Sequence, residues 1–188
     1  MLCAALCAFV GELVCAYLFW AAASLDHMQL HSEAGKFEFW VVLGVDDDDP
    51  YYGIAANQND VQAYFQARIA SPLMSLGVRV SLSLVPFQND AHKPGPAFNI
   101  AAAAAYADGA DFFFRMNDDT LLPLEDKWVS RLVAALSSNE PPLLGAVGPR
   151  CGANRANSDI LTHDFVHRTH LEIFPTYCKF IVHAAVAR

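Results

Sequence analysis

Two long apolar runs in this chain break off on clusters of acids. Residues 37–45 are interrupted only by Glu38 and stop at Asp46-Asp47-Asp48-Asp49-Pro50; residues 111–116 (DFFFRM) stop at Asn117-Asp118-Asp119-Thr120. Apolar runs of this length, bounded by turn residues, read as buried strands. Helical patterns lie around them. Val61, Phe65 and Ile69 share one face of a helix expected over 57–69, which Ser71-Pro72 should stop. Residues 78–84 alternate strictly, as a half-buried strand does. Pro94-Gly95-Pro96 opens an alanine-rich helix over about 97–108, stopped by Gly109, and its small side chains suit close packing on a sheet. A helix is predicted over 128–136 and a strand over 143–147 after Pro141-Pro142. A further strand is predicted over 160–166, and a helix beginning at His167 runs to Phe174. Strands alternating with helices over this length predict an α/β sandwich with a mainly parallel sheet.

The first 25 residues stand apart, because Glu12 is the only charge among them. Leu2, Leu6, Phe9, Val10, Leu13, Val14, Leu18 and Phe19 on an Ala/Cys background read as an apolar helix over 2–25. Roughly 20 such residues span a bilayer core. Glu12 near the centre costs roughly 2.5–3.5 kcal/mol on an insertion scale, and strong hydrophobes at about 0.3–0.6 kcal/mol each offset it approximately. Three readings stay open: a signal anchor, a cleaved signal peptide with Ala21-Ala22-Ala23 near its cleavage site, and a soluble core helix. Lys and Arg are absent before Lys36, so the basic flank that would orient or identify a targeting segment is missing. Residues 26–36 read as a short polar stem.

Twelve Lys+Arg against twenty Asp+Glu leave a net charge of −8, which argues against a nucleic-acid partner. With 54% hydrophobic residues the chain can form a packed core rather than a disordered one. Three of the five cysteines lie in the apolar lead, and neither a CxxC pair nor an HExxH is present, which excludes structural zinc and a zincin. Cys151 and Cys178 are expected as free thiols.

In open α/β sheets, ligands bind at the carboxyl ends of the strands, where both acid clusters fall. Closely spaced carboxylates suit magnesium or manganese, which also binds phosphate oxygens and water. Such a cation would reconcile the −8 charge with an anionic ligand and act as a Lewis acid on a departing diphosphate. The competing reading of either cluster is a solvated Asn/Asp turn.

The run GADFFFRMNDDTLL resembles the metal-binding region of family 2-like glycosyltransferases with the GT-A fold, whose DxD motif follows a hydrophobic strand. The resemblance extends upstream to Asn99 in KPGPAFN and downstream through LLGAVGPRC and ILTHDFVHRTHLEIF, while VVLGVDDDDPYY is similar to the nucleoside-binding strand. It implies a donor-binding domain over 37–174 with a Rossmann-type α/β/α sandwich, incomplete at the C-terminus, preceded by the apolar helix. It implies a nucleotide-diphosphosugar donor, a divalent cation, and transfer to a hydroxyl of a glycan, protein or lipid. A single-pass protein of the endoplasmic reticulum or Golgi, held in the membrane through residues 2–25, would follow.

Position by position, the resemblance makes Asp119 the metal ligand, Asn117 a ribose contact in place of the usual acid, and Asp118 a donor-sugar contact or a buttress of the turn. Asp46 and Asp48 take the nucleoside end, Asn99 the donor side, and Lys93 or Arg115 the diphosphate, with a plain surface charge as the competing reading of either. His163 and Asp164 are candidates for the acceptor side, with capping and packing as the competing reading. Inverting relatives need a carboxylate base, yet no Asp or Glu follows Glu172, and residues 175–188 diverge. A catalytically incomplete remnant is therefore an alternative. A nucleotidyltransferase is another, although its Gly-rich basic loop after the first strand is replaced here by acids.

Overall fold

Leu2–Phe9, expected as the start of an apolar helix, is instead strand β1 at the centre of the sheet. The computed structural model describes residues 2–9, 30–90, 93–117, 126–149 and 163–178, with the backbone alone for 2–9 and Asn117. β1 pairs in parallel with β2 (Phe37–Asp46) on one side and with β4 (Phe112–Asn117) on the other. An uncharged run of Leu, Ala, Cys and Phe serves equally as a buried helix or a strand buried on both faces, so its pattern cannot separate the two. Two apolar neighbours offering parallel ladders settle it as a strand. The rest of the expected helix, residues 10–25, lies outside the described residues. Among those described, no helix is long and apolar enough to cross a membrane.

β3 (Arg79–Phe87) adds in parallel beyond β2, and β5 (Phe165–His167) adds antiparallel beyond β4, giving the order β3-β2-β1-β4-β5. The protein is thus a mixed α/β structure with a mainly parallel sheet. Helices cover both faces. Phe113 points to one side, among Val42, Ala101, Ala102 and Ala105, where α3 (Pro94–Ala107) lies. Phe112 and Phe114 point to the other, among Phe39, Phe65, Trp128 and Phe165. That side is covered by α1 (Ala55–Phe65), a π turn (Gln66–Ala70), α2 (Ser71–Ser75) and α4 (Trp128–Ser137). The period of two along β4 therefore divides the core.

Three expectations need correction. The helical path does not stop at Ser71-Pro72 but continues to Ser75, because the wide π turn, closed by Ser71 N–H on the Gln66 carbonyl, brings Pro72 into the first turn of α2. Proline has no N–H to donate to the preceding turn, and the π turn widens the helix where it enters. The strand expected over 143–147 is a single antiparallel bridge from Val147 to Phe165; Leu143 has φ of 62°, incompatible with an extended strand. The later strand is Phe165–His167, and residues 160–162 lie outside the described part. The helix after it, α5, is the short Thr169–Ile173.

Within the expected stem, Leu30–Glu33 forms a 3-10 turn with Leu30 and Glu33 buried. Glu33 accepts hydrogen bonds from the Ser130 N–H (2.9 Å) and hydroxyl (2.6 Å), and Ser32 accepts the Lys127 N–H (2.7 Å). These oxygens satisfy donors at the start of α4, where a negative charge also favours the helix dipole.

Candidate functional site

The four parallel strands end at one edge of the sheet. Phe87 of β3 is the register partner of Asp46 at the end of β2, and Phe9 of β1 is the partner of Asn117 at the end of β4. The connections run outward from β1 to β3 and then return past β1 to β4. The strand order therefore reverses between β1 and β4, the position at which open α/β sheets bind ligands. Asn117 terminates one of those two strands. Neighbouring strands lie about 4.8 Å apart, so the ends of β2 and β4 stand roughly 10 Å from each other.

The four-acid turn divides into two kinds of residue. Asp49 is buried, and its Oδ1 accepts the N–H groups of Tyr51 (2.8 Å) and Tyr52 (2.7 Å), so it builds the turn. Asp46, Asp47 and Asp48 can each bring a carboxylate oxygen within 4.8 Å of the others, with Asp46 half-buried and the other two exposed. Three oxygen ligands at that spacing fit a hard cation such as magnesium or manganese in chemistry. Asp47 and Asp48 border a recess of about 440 Å³ with Gln88, Asn89 and Asp90. Buried Asn89 ties this loop to Lys93, exchanging hydrogen bonds of 3.4 Å with its main chain at the start of α3. The Lys93 side chain is exposed.

The remaining expected residues fall into two places. Asn117 closes β4, and its side chain, Asp118 and Asp119 lie outside the described residues. Asn99, Arg115 and Asp164 gather around Cys178 and the residues just before β5, where His163 precedes Asp164 in the chain. Arg115 Nε lies 2.6 Å from Asp164 Oδ1, and the Arg115 N–H donates to the Asp164 carbonyl at 3.0 Å. Its guanidinium stands over the Phe98 ring at 5.6 Å, and Nη1 reaches Cys178 Sγ at 3.6 Å. Burial opposes the charged guanidinium, but the Asp164 carboxylate, with Cys178 and Tyr177 beside it, outweighs burial and raises the pKa further. Burial also raises the Cys178 thiol pKa, with Arg115 working against it. His163 is buried at 7% exposure.

Arg115, read from sequence as a diphosphate contact or a surface charge, is thus a partly buried partner of Asp164. Sequence reasoning did not single out Glu33, Asn89 or Tyr177, all of them buried. The acid in an otherwise short polar connector was the available signal for Glu33. Tyr177 and Asn89 carry no local pattern that separates them from loop residues. No family model matches the chain, and no curated protein matches it in sequence.

Proposed function

We propose that the carboxyl edge of the sheet binds a nucleotide-diphosphosugar with a divalent cation, as in GT-A glycosyltransferases, for transfer of the sugar to an acceptor hydroxyl. The supporting observation is that Asp46 and Asn117 end strands on either side of β1, with the reversal of strand order between β1 and β4. In this reading Asp46, Asp47 and Asp48 face the donor from the end of β2, with the end of β4 on the other side of β1. The cation would supply charge neutralisation and Lewis acidity toward the diphosphate. Asp49 and Asn89 orient the two loops without touching the ligand.

A second reading is binding without turnover. It is favoured by the ion pair of Asp164 with Arg115 at 2.6 Å, which engages that carboxylate within the protein. Calorimetry with uridine and guanosine diphosphosugars, with and without manganese, tests donor binding. Manganese should strengthen it, and Asp48→Asn or Asp119→Asn should weaken it. No manganese dependence would refute the cation site. Product formation with an acceptor hydroxyl then separates transfer from binding alone.

A further inference from the structure

Asn99, in the second turn of α3, holds both main-chain polar groups of Cys178. The Cys178 N–H donates to Oδ1 at 2.6 Å, and Nδ2 donates to the Cys178 carbonyl at 3.3 Å, across 79 positions of sequence. The segment 175–178 is neither strand nor helix, and side chains grip it further. His170 Nε2 lies 3.2 Å from the Tyr177 carbonyl, and the Tyr177 hydroxyl donates to the Asp164 carbonyl at 3.3 Å. The Tyr177 ring packs against Phe113, with centroids 6.4 Å apart. Among the described residues no helix or strand ladder holds this segment, so its release would break the Asn99 and His170 hydrogen bonds and withdraw the buried Tyr177 ring without disturbing the sheet.

Its location matters because Thr176 and Tyr177 form one wall of a groove of about 470 Å³ whose other walls include Asn99, Phe87 and Gln88. Gln88 also borders the acidic recess beside Asp47 and Asp48, so the two cavities adjoin. An Asn amide offers a donor and an acceptor side by side. The N–H and C=O of Cys178 take up one acceptor and one donor position of it, as would a nucleobase edge presenting the same pair of groups.

We propose that residues 175–178 are an autoinhibitory strap that occupies the Asn99 amide and must lift before a nucleobase can pair with that amide beside the acidic turn. The inference rests on the donor-binding reading above. A strap closed nine-tenths of the time weakens apparent affinity about tenfold, because only the open fraction binds.

The test uses the full chain, with uridine diphosphate or guanosine diphosphate plus manganese as probes. Calorimetry compares the wild type with Cys178→Pro, which deletes the N–H that Asn99 accepts, and with Cys178→Ser, which retains it. Hydrogen exchange of residues 175–178 in the wild type, with and without probe, supplies a measurement that needs no variant. Cys178→Pro should bind about tenfold more tightly, Cys178→Ser like the wild type, and the probe should speed exchange in the strap. Equal affinity of wild type and Cys178→Pro, with exchange unchanged by a bound probe, would show a fixed brace and overturn the strap while leaving donor binding intact. Failure of every variant to bind either probe, Cys178→Pro included, would overturn both.

Discussion

Gly44 of β2 lies directly beneath Ala97 of α3: a Cβ on Gly44 would stand 2.6 Å from the Ala97 carbonyl oxygen and 3.0 Å from its Cα. Both neighbours are backbone, so neither can rotate away. Gly44→Ala should therefore push α3 off the sheet and destabilise the protein by about 1–3 kcal/mol, as overpacking does. Thermal or urea denaturation checks this. An unchanged midpoint would show that α3 shifts freely.

Glu33 and Ser130 form a buried joint between the 3-10 turn and α4. Glu33→Ala leaves the Ser130 N–H and hydroxyl without their acceptor, a loss of about 1–3 kcal/mol. Adding Ser130→Ala to Glu33→Ala should cost less than the sum of the two single changes, because both remove the same contact. Additive effects in a denaturation cycle would argue against the joint.

Within the acidic turn, stability and cation binding should separate by residue. Asp49→Ala removes the acceptor of two N–H bonds and should lower stability by about 1–2 kcal/mol. Asp47→Asn and Asp48→Asn change exposed side chains and should leave stability within about 0.5 kcal/mol while weakening manganese binding. Gly53 couples the two effects: its Cβ would meet the Asp49 carbonyl at 2.7 Å and the Asp47 carbonyl at 2.8 Å. Gly53→Ala should thus impair both properties, measured by denaturation and by manganese titration.

His167 should make the fold sensitive to mild acid. Burial lowers its pKa below the usual 6.5, against the opposing pull of Asp111 and Glu172. The unfolded chain then takes up a proton more readily than the folded one. The contribution is whole above the unfolded pKa of about 6.5 and is lost as pH falls through the lower folded value. Urea midpoints between pH 8 and 5 should fall more steeply in the wild type than in His167→Asn. Parallel profiles would rule out His167 as the source.

The residues at the site differ in how far sequence reveals them. The acids after β2 were legible because an apolar strand ending in carboxylates is a local pattern. The division of labour between Asp49 and its three neighbours was not, since it depends on where the Tyr51 and Tyr52 amides point. Likewise, Asn99 stands out on its helix, but nothing nearby in sequence indicates Cys178 as its partner. Arg115 and Asp164 lie on segments that meet only when β5 returns antiparallel to β4.

The strand or helix character of 37–45, 78–84, 97–108, 111–116 and 128–136 was written locally, because each carries its own periodicity, glycine or proline stop, or apolar run. Packing was needed to make residues 2–9 the central strand, to set the segment before β2 as the cap of α4, and to choose which polar groups pair across the carboxyl edge. The physical reason is the same in each case. An apolar run has no preferred secondary structure until neighbours offer it hydrogen bonds, and a buried polar side chain takes whichever distant partner the packed sheet brings within reach.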